Sequence, residues 1–218
     1  IGLIFLFRDI VINDRPLTYF STSINHRLVK VLYFLLILVV LAKTLLSLYS
    51  FSWHIFDVGS YSNVVFNLSN GLNYNSFLQI PATYDHFTPS LSLFVPLYWL
   101  GASVHWLTFA KALSYLSVPL VVYYWLKDKT ESNFRFKLSF LFGLWMLILY
   151  KPAVSSSFFE FSPSSLAPPL IILSFLLMEK RRWFLFSLTM LFLLGLKEHM
   201  GAILIGYGLF GIFQKNYF

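Results

Sequence analysis

The chain of 218 residues is 58% hydrophobic and 20% aromatic, and only 11% of its residues are charged. A water-soluble domain of this size carries about 25% charged residues, so the composition excludes a soluble globular domain and indicates a membrane protein. The net charge of +7 comes from short basic clusters beside apolar runs. The positive-inside rule produces this distribution, whereas a nucleic-acid-binding protein needs a continuous basic patch, so no nucleic-acid partner is expected.

The N-terminal part predicts a lead-in followed by a first membrane span. Residues 1–30 mix short apolar runs with basic side chains, which indicates a cytoplasmic or interfacial segment. The chain begins with Ile1 rather than Met, so we expect a piece of a longer protein. Residues 31–51 are long and apolar enough to cross about 30 Å of hydrocarbon as a helix. The polar interval 52–89 that follows should then form an outer loop.

The outer loop contains a pattern typical of an amphipathic interfacial helix. Val58, Tyr61, Val65 and Leu68 recur at helical spacing, and the pair Asn70-Gly71 supplies a stop, which predicts a helix over 57–70. Asp57 falls at its N-terminus, where the helix dipole favours a carboxylate. Asp57 is therefore either a helix cap or a functional group.

The rest of the chain predicts five further spans. Residues 90–100, interrupted by Pro96, should lie on the outer surface as a short helix, because the basic loop 127–137 requires one crossing before it. The spans that follow are predicted over 104–126, 138–150, 166–178, 183–196 and 201–213. The sum is an all-α, multi-pass membrane domain over 31–218 with about six transmembrane helices and both ends inside.

This topology brings the scarce titratable groups to the outer membrane face. Charged groups at the ends of spans are costly unless solvated or paired, so their convergence is a functional-site hypothesis. Hard divalent cations take carboxylate oxygens, which leaves a metal cofactor open, but no metal-ligand spacing such as HExxH or DxD occurs and no metal ligand is assigned. The catalytic candidates are Asp57, Asp85, His86 and Glu198, and the substrate-binding candidates are Tyr61, Lys111, Glu160 and Lys197.

Four stretches carry a family resemblance: FDVGSYSNVVFNLSNG, DHFTPSLSLFVPLYWL, EFSPSSLAPPLIILSFLLMEKRRW and LGLKEHMG. They resemble the successive motifs of an uncharacterised family of prokaryotic multi-spanning membrane proteins with a domain of unknown function. The resemblance covers most of the chain, from about residue 53 to 213. It places the family's Asp on Asp57, its Asp-His pair on Asp85 and His86, and its Lys-Glu pair on Lys197 and Glu198.

That family is in turn similar in layout to GT-C glycosyltransferases, so the resemblance implies a prokaryotic plasma-membrane enzyme with a polyprenyl-phosphate sugar donor. It implies that Asp57 is the base and that Lys111 and Lys197 are candidates for the lipid phosphate. This chain has Ser162 where the family usually has a His. Two alternatives stay open: a transporter, with Lys43, Lys111 and residues 197–199 lining a path, and a non-catalytic membrane subunit. The sugar and its acceptor are not specified by the sequence.

Overall fold

The computed structural model describes residues 26–49, 56–127, 132–145 and 160–213. Within these ranges the chain forms helices and turns and no strand, apart from an isolated bridge between Asn75 and Ile80. The predicted all-α class is therefore confirmed. The predicted lead-in over 1–30 lies outside the described residues except for its last turn, which belongs to the first helix.

The described part of the chain contains nine α-helices and three 3₁₀ helices. In chain order the α-helices are α1 (His26–Tyr49), α2 (Phe56–Ser69), α3 (Ala82–Asp85), α4 (Val95–Leu100), α5 (His105–Trp125), α6 (Ser132–Leu144), α7 (Ala167–Glu179), α8 (Trp183–Leu194) and α9 (Gly201–Phe213). The 3₁₀ helices are η1 (Pro89–Phe94), η2 (Pro163–Leu166) and η3 (Glu198–Met200).

The central helix is α5, which contacts α1, α2, α6, α7 and η2. Its side chains Leu107, Val118 and Val122 are buried against these neighbours. Its 21 residues rise about 32 Å, which matches the thickness of the hydrocarbon core. By length and composition it is the one helix among the described residues that qualifies as a candidate membrane span.

The other predicted spans are not confirmed as crossings. The helices α6, α7 and α9 have 13 residues each and α8 has 12. A helix of that length rises about 20 Å, well short of the hydrocarbon thickness of about 30 Å. The structure therefore confirms helices within these segments, and residues 146–150 of the predicted span 138–150 lie outside the described residues. The count of six spans and the inside-outside orientation stay predictions.

Two predicted helices begin earlier than the sequence pattern indicates. The first begins at His26 instead of residue 31, and α6 begins at Ser132 instead of residue 138. In both cases a polar, basic stretch precedes the apolar run. Hydropathy locates only the apolar part of a helix, whereas Lys and Arg are good helix formers and continue the main-chain hydrogen bonding into the polar turn.

The outer-loop helix is confirmed with its stop. Val58, Tyr61 and Val65 of α2 are buried, as the spacing predicts, whereas Leu68 in the last turn is only partly buried. Gly71 has a φ of 78°, and the N–H of Leu72 donates to the carbonyl of Asn67 at 2.9 Å. A glycine in the left-handed region that lets such a hydrogen bond close the last turn is a common helix C-terminus.

The loop after α2 is attached to that helix by Asn75. The Asn75 Nδ2 donates to Oγ of Ser60 at 2.8 Å, and its Oδ1 accepts from the backbone N–H groups of Phe77 and Leu78. Asn75 is buried, so these bonds satisfy both ends of a side-chain amide that is shielded from water. The attachment sets where α3 begins, and α3 ends at Asp85, next to His86.

The predicted surface segment over 90–100 consists of η1 followed directly by α4, with Pro96 in the first turn of α4. Proline fits there because the first N–H groups of a helix have no intrahelical acceptor. The segment lies against α2, and the hydroxyls of Ser62 and Tyr98 are 2.8 Å apart. Its predicted position on the membrane surface stays a prediction.

One apolar cluster joins the elements that carry the polar groups. It contains buried side chains from α2, η1, the segment before η2, and the end of α8. Because these elements share one packed core, side chains far apart in sequence are held in fixed positions relative to one another. The best-buried members are Val58, Val65, Leu91, Leu107, Phe161, Leu193 and Leu196.

Candidate functional site

The first turn of α2 carries Asp57 and is capped by a residue from a distant part of the chain. The backbone N–H of Val58 donates a 3.0 Å hydrogen bond to Oε2 of Glu160. The first N–H groups of a helix need such an acceptor, and a carboxylate there is also favoured by the helix dipole. The half-buried Asp57 forms no hydrogen bond within the described part of the chain. Glu160 therefore caps α2, and Asp57 does not.

The hydroxyl of Tyr61 lies within electrostatic range of three predicted catalytic carboxylates. Burial raises the pKa of Tyr61 above its ordinary value, and the negative charges of Asp57, Asp85 and Glu198 raise it further. A hydrogen bond with the Ser162 side chain acts in the opposite direction. The Tyr61 hydroxyl therefore stays protonated at neutral pH and can donate a hydrogen bond. The carboxylates come from three separate segments, so the fold brings all three within electrostatic range of this hydroxyl.

His86 connects two of these segments. Its Nδ1 lies 3.0 Å from Oε1 of Glu198, and its Nε2 lies 4.0 Å from Oδ1 of Asp85. The side chains of His86 and Glu198 are 32% and 54% exposed. A histidine oriented by a carboxylate on one ring nitrogen presents its other nitrogen in a defined direction, which suits proton transfer or hydrogen bonding to a ligand.

Glu198 is held in its ionised form. A hydrogen bond from its own backbone N–H is the main cause that lowers the pKa of Glu198, and His86 and the charge of Lys197 lower it further. Glu198 therefore suits an orienting or charge-stabilising role rather than that of a proton donor at neutral pH. Lys197 precedes η3 in extended conformation and lies at the same end of the structure.

A close contact between η1 and the end of α8 sets the separation of His86 and Glu198. The N–H of Ser90 donates to the carbonyl of Gly195 at 2.9 Å, and its Oγ donates to the carbonyl of Phe192 at 2.7 Å. A Cβ added at Gly195 would collide with Oγ of Ser90 and approach Cγ of Pro89 to 3.2 Å. Glycine is therefore required at this position for the two segments to approach each other.

Lys111 and Glu160 are both buried behind the first turn of α2. They are 3% and 4% exposed and are close enough to interact electrostatically. Lys43 of α1 also lies within electrostatic range of Lys111. A buried charge is tolerated only where other charges and hydrogen bonds compensate it. The two predicted substrate-binding residues thus lie within electrostatic range of each other, and contact between either one and a ligand stays a prediction.

Ser162 is the functional candidate that the residue patterns missed. It contacts Tyr61 as described, and its Oγ lies 3.1 Å from Oγ of Ser164. The only signal for it in the sequence was its position in the family motif. Among the described residues, no group of three or more His, Asp or Glu side chains is arranged to hold a metal ion.

The comparison with protein families agrees with the architecture. A family model described as a predicted membrane protein, DUF2079, matches residues 47–217. The chain belongs to this family. The match begins in the last turn of α1 and extends past α9, so it includes every candidate residue of the site. No curated protein and no solved structure matches the chain. The family assignment supports a membrane protein and assigns no activity to it.

Proposed function

We propose that this chain is part of a GT-C-like membrane glycosyltransferase, which moves a sugar from a polyprenyl-phosphate carrier to an acceptor at the outer membrane face. The observation that supports the proposal is the hydrogen-bond contact of His86 with Glu198, together with the electrostatic effect of Asp57, Asp85 and Glu198 on the Tyr61 hydroxyl. The proposal also rests on which groups lie at this end of the protein. They are carboxylates, a histidine and lysines, and sugar transfer from a phosphate requires groups of these kinds.

In the proposed reaction Asp57 takes the proton from the acceptor hydroxyl. The freed oxygen forms a bond to the anomeric carbon of the sugar, while the bond from that carbon to the phosphate oxygen breaks and its electrons leave with the phosphate. Lys197, at the same end of the structure, stabilises the departing phosphate. His86, oriented by Glu198, contributes a hydrogen bond to the sugar or the acceptor.

We propose that the positive charge of Lys111 stabilises the lipid phosphate from inside the protein. Lys111 is buried within electrostatic range of Glu160, which partly balances that charge. Its position also favours the enzyme over the transporter. Lys111 lies six residues after the start of α5, at about 9 Å along the helix axis. A transporter places its binding groups near the middle of the membrane, whereas here they gather at one end.

The proposal is tested with the protein in liposomes and a series of radiolabelled polyprenyl-phosphate sugars, with hexose and pentose donors compared. The measurement is the release of free polyprenyl phosphate together with transfer of label to a water-soluble or lipid acceptor. Movement of a free sugar across the bilayer without cleavage of any donor would instead support the transporter. Absence of both activities in a folded protein would support the non-catalytic subunit.

A further inference from the structure

A cavity of about 290 Å³ lies between α1, α5 and α6, away from the candidate site. Its wall is mostly apolar, and the hydroxyl groups of two lining residues are hydrogen-bonded to backbone carbonyls. The Tyr33 hydroxyl donates to the carbonyl of Leu116 at 2.6 Å, and Oγ of Ser139 donates to the carbonyl of Arg135 at 2.8 Å. The remaining lining side chains are Pro119, Leu120, Tyr123, Phe136 and Phe140.

The cavity is open at its side. Leu120, which lines it, is 53% exposed, so a ligand can enter between the helices. Its volume is close to the lower limit of small-molecule sites, which is about 300 Å³. An elongated hydrocarbon chain, with part of its length inside the cavity, suits this size and lining.

The end of the helices nearest the cavity is basic. The Arg135 guanidinium lies over the ring of Tyr123, 5.2 Å from its centre, and Tyr123 belongs to the wall. Within α1, α5 and α6 there is no Asp or Glu. The loop between α5 and α6 adds Lys129 together with Asp128 and Glu131. The basic residues at this end of the three helices are Arg27, Lys30, Lys127, Arg135 and Lys137, and one carboxylate from α7, Glu179, accepts from Nε1 of Trp125 at the same end.

We propose that this cavity binds one acyl chain of an anionic phospholipid, with the lipid phosphate against Arg135. Basic pockets between membrane helices are the usual sites for anionic headgroups, and an apolar cleft beside them accommodates the chain. The Arg135 guanidinium lies over Tyr123, so its positive charge is at the cavity wall. The headgroup of a lipid whose chain occupies the cavity would lie there. This lipid site is independent of the proposed sugar transfer.

The experiment measures lipid retained by the full chain after extraction from bilayers of equal phosphatidylglycerol and phosphatidylcholine, by native mass spectrometry. We expect the parent to retain phosphatidylglycerol about fivefold over phosphatidylcholine. Arg135→Gln should retain lipid without this preference, and Leu120→Trp, which fills the cavity, should retain less of both. Leu120→Phe repeats the second test if the Trp variant does not fold.

Two control variants separate the site from general effects. Leu141→Trp adds a large side chain to an exposed position of α6 that does not line the cavity, and Arg181→Gln removes an exposed charge from the α7–α8 loop. Both should behave like the parent. Equal retention of the two lipids by the parent, or Leu120→Trp and Arg135→Gln variants that match these controls, would overturn the proposal.

Discussion

The backbone N–H of Val58 donates a 3.0 Å hydrogen bond to Oε2 of Glu160, which lies 102 residues further along the chain and is 4% exposed. This contact joins the helix that carries Asp57 to the segment that precedes η2. It also gives the buried Lys111 a negative charge nearby. The position of Asp57 therefore depends on a residue that no local pattern connects to it.

Replacement of Glu160 tests this connection. Glu160→Ala leaves the buried N–H of Val58 without its acceptor, and we expect a loss of about 2 kcal/mol in the free energy of unfolding. Glu160→Gln keeps an acceptor oxygen and should cost less. Thermal unfolding in detergent measures the stabilities, and hydrogen exchange at the Val58 amide locates the effect. An exchange rate at Val58 that is unchanged in Glu160→Ala contradicts the capping role.

The coupling between Lys111 and Glu160 is tested with a double-mutant cycle. Removing one member of a buried charged pair is more costly than removing both, since the remaining charge is no longer compensated. Lys111→Met should therefore destabilise the Glu160→Ala protein less than it destabilises the parent, by about 1 kcal/mol. Additive effects of the two substitutions, within about 0.5 kcal/mol, would show that the two side chains do not interact.

Asp57→Asn separates catalysis from stability. Because Asp57 does not cap α2, its loss should change the free energy of unfolding by less than about 1 kcal/mol, the usual contribution of a carboxylate near a helix N-terminus. As the base it should lower turnover of a lipid-linked sugar by about 10²-fold or more. Glu179→Gln is the matched control, because Glu179 accepts from Nε1 of Trp125 at the other end of α5. Equal turnover in the Asn variant and the parent means that Asp57 is not the base.

Gly195 is tested through its contact with Ser90. Gly195→Ala places a Cβ against Oγ of Ser90, so η1 must move away from α8, and we expect a loss of about 1–3 kcal/mol in stability. Adding Ser90→Ala removes the colliding oxygen and should restore part of the loss. Gly208→Ala is the control, since a Cβ there meets no atom within 4 Å. We expect the Gly208→Ala control to gain a little stability, because Ala has a better helix propensity than Gly.

The His86–Glu198 pair predicts a pH dependence with a definite sign. The pKa of Glu198 is lowered in the folded protein, so its contribution to stability is present above its ordinary value and is lost as the pH falls through the lowered value. The difference in melting temperature between the parent and Glu198→Gln should therefore shrink below about pH 4. Both side chains are partly exposed, so the difference should be small and should decrease in high salt. A melting-temperature difference that grows as the pH falls would contradict a lowered pKa of Glu198.

The predicted topology is tested in this cysteine-free chain with single cysteines and an impermeant thiol reagent. Asn73→Cys, in the loop after α2, should be labelled in intact cells. Lys129→Cys, in the basic loop before α6, should be labelled only after the membrane is opened. Labelling of Lys129→Cys from outside would show that the orientation is wrong.

Much of the helical structure was readable from the sequence alone. The 58% hydrophobic composition required a membrane protein, and the spacing of Val58, Tyr61 and Val65 with the stop at Gly71 predicted α2 within one residue. These features are local, because helix periodicity and a left-handed glycine depend on neighbouring residues. The early starts of α1 and α6 were missed, since hydropathy does not detect a polar helical turn.

Only the tertiary structure decided which polar groups face one another. The local sequence pattern did not decide whether Asp57 caps α2, and the fold assigns the capping hydrogen bond to Glu160. Likewise, the contact of His86 with Glu198 depends on the approach of Ser90 to Gly195. Such contacts join segments about 100 residues apart and result from packing of a shared apolar core, and core packing leaves no periodic signal in the sequence.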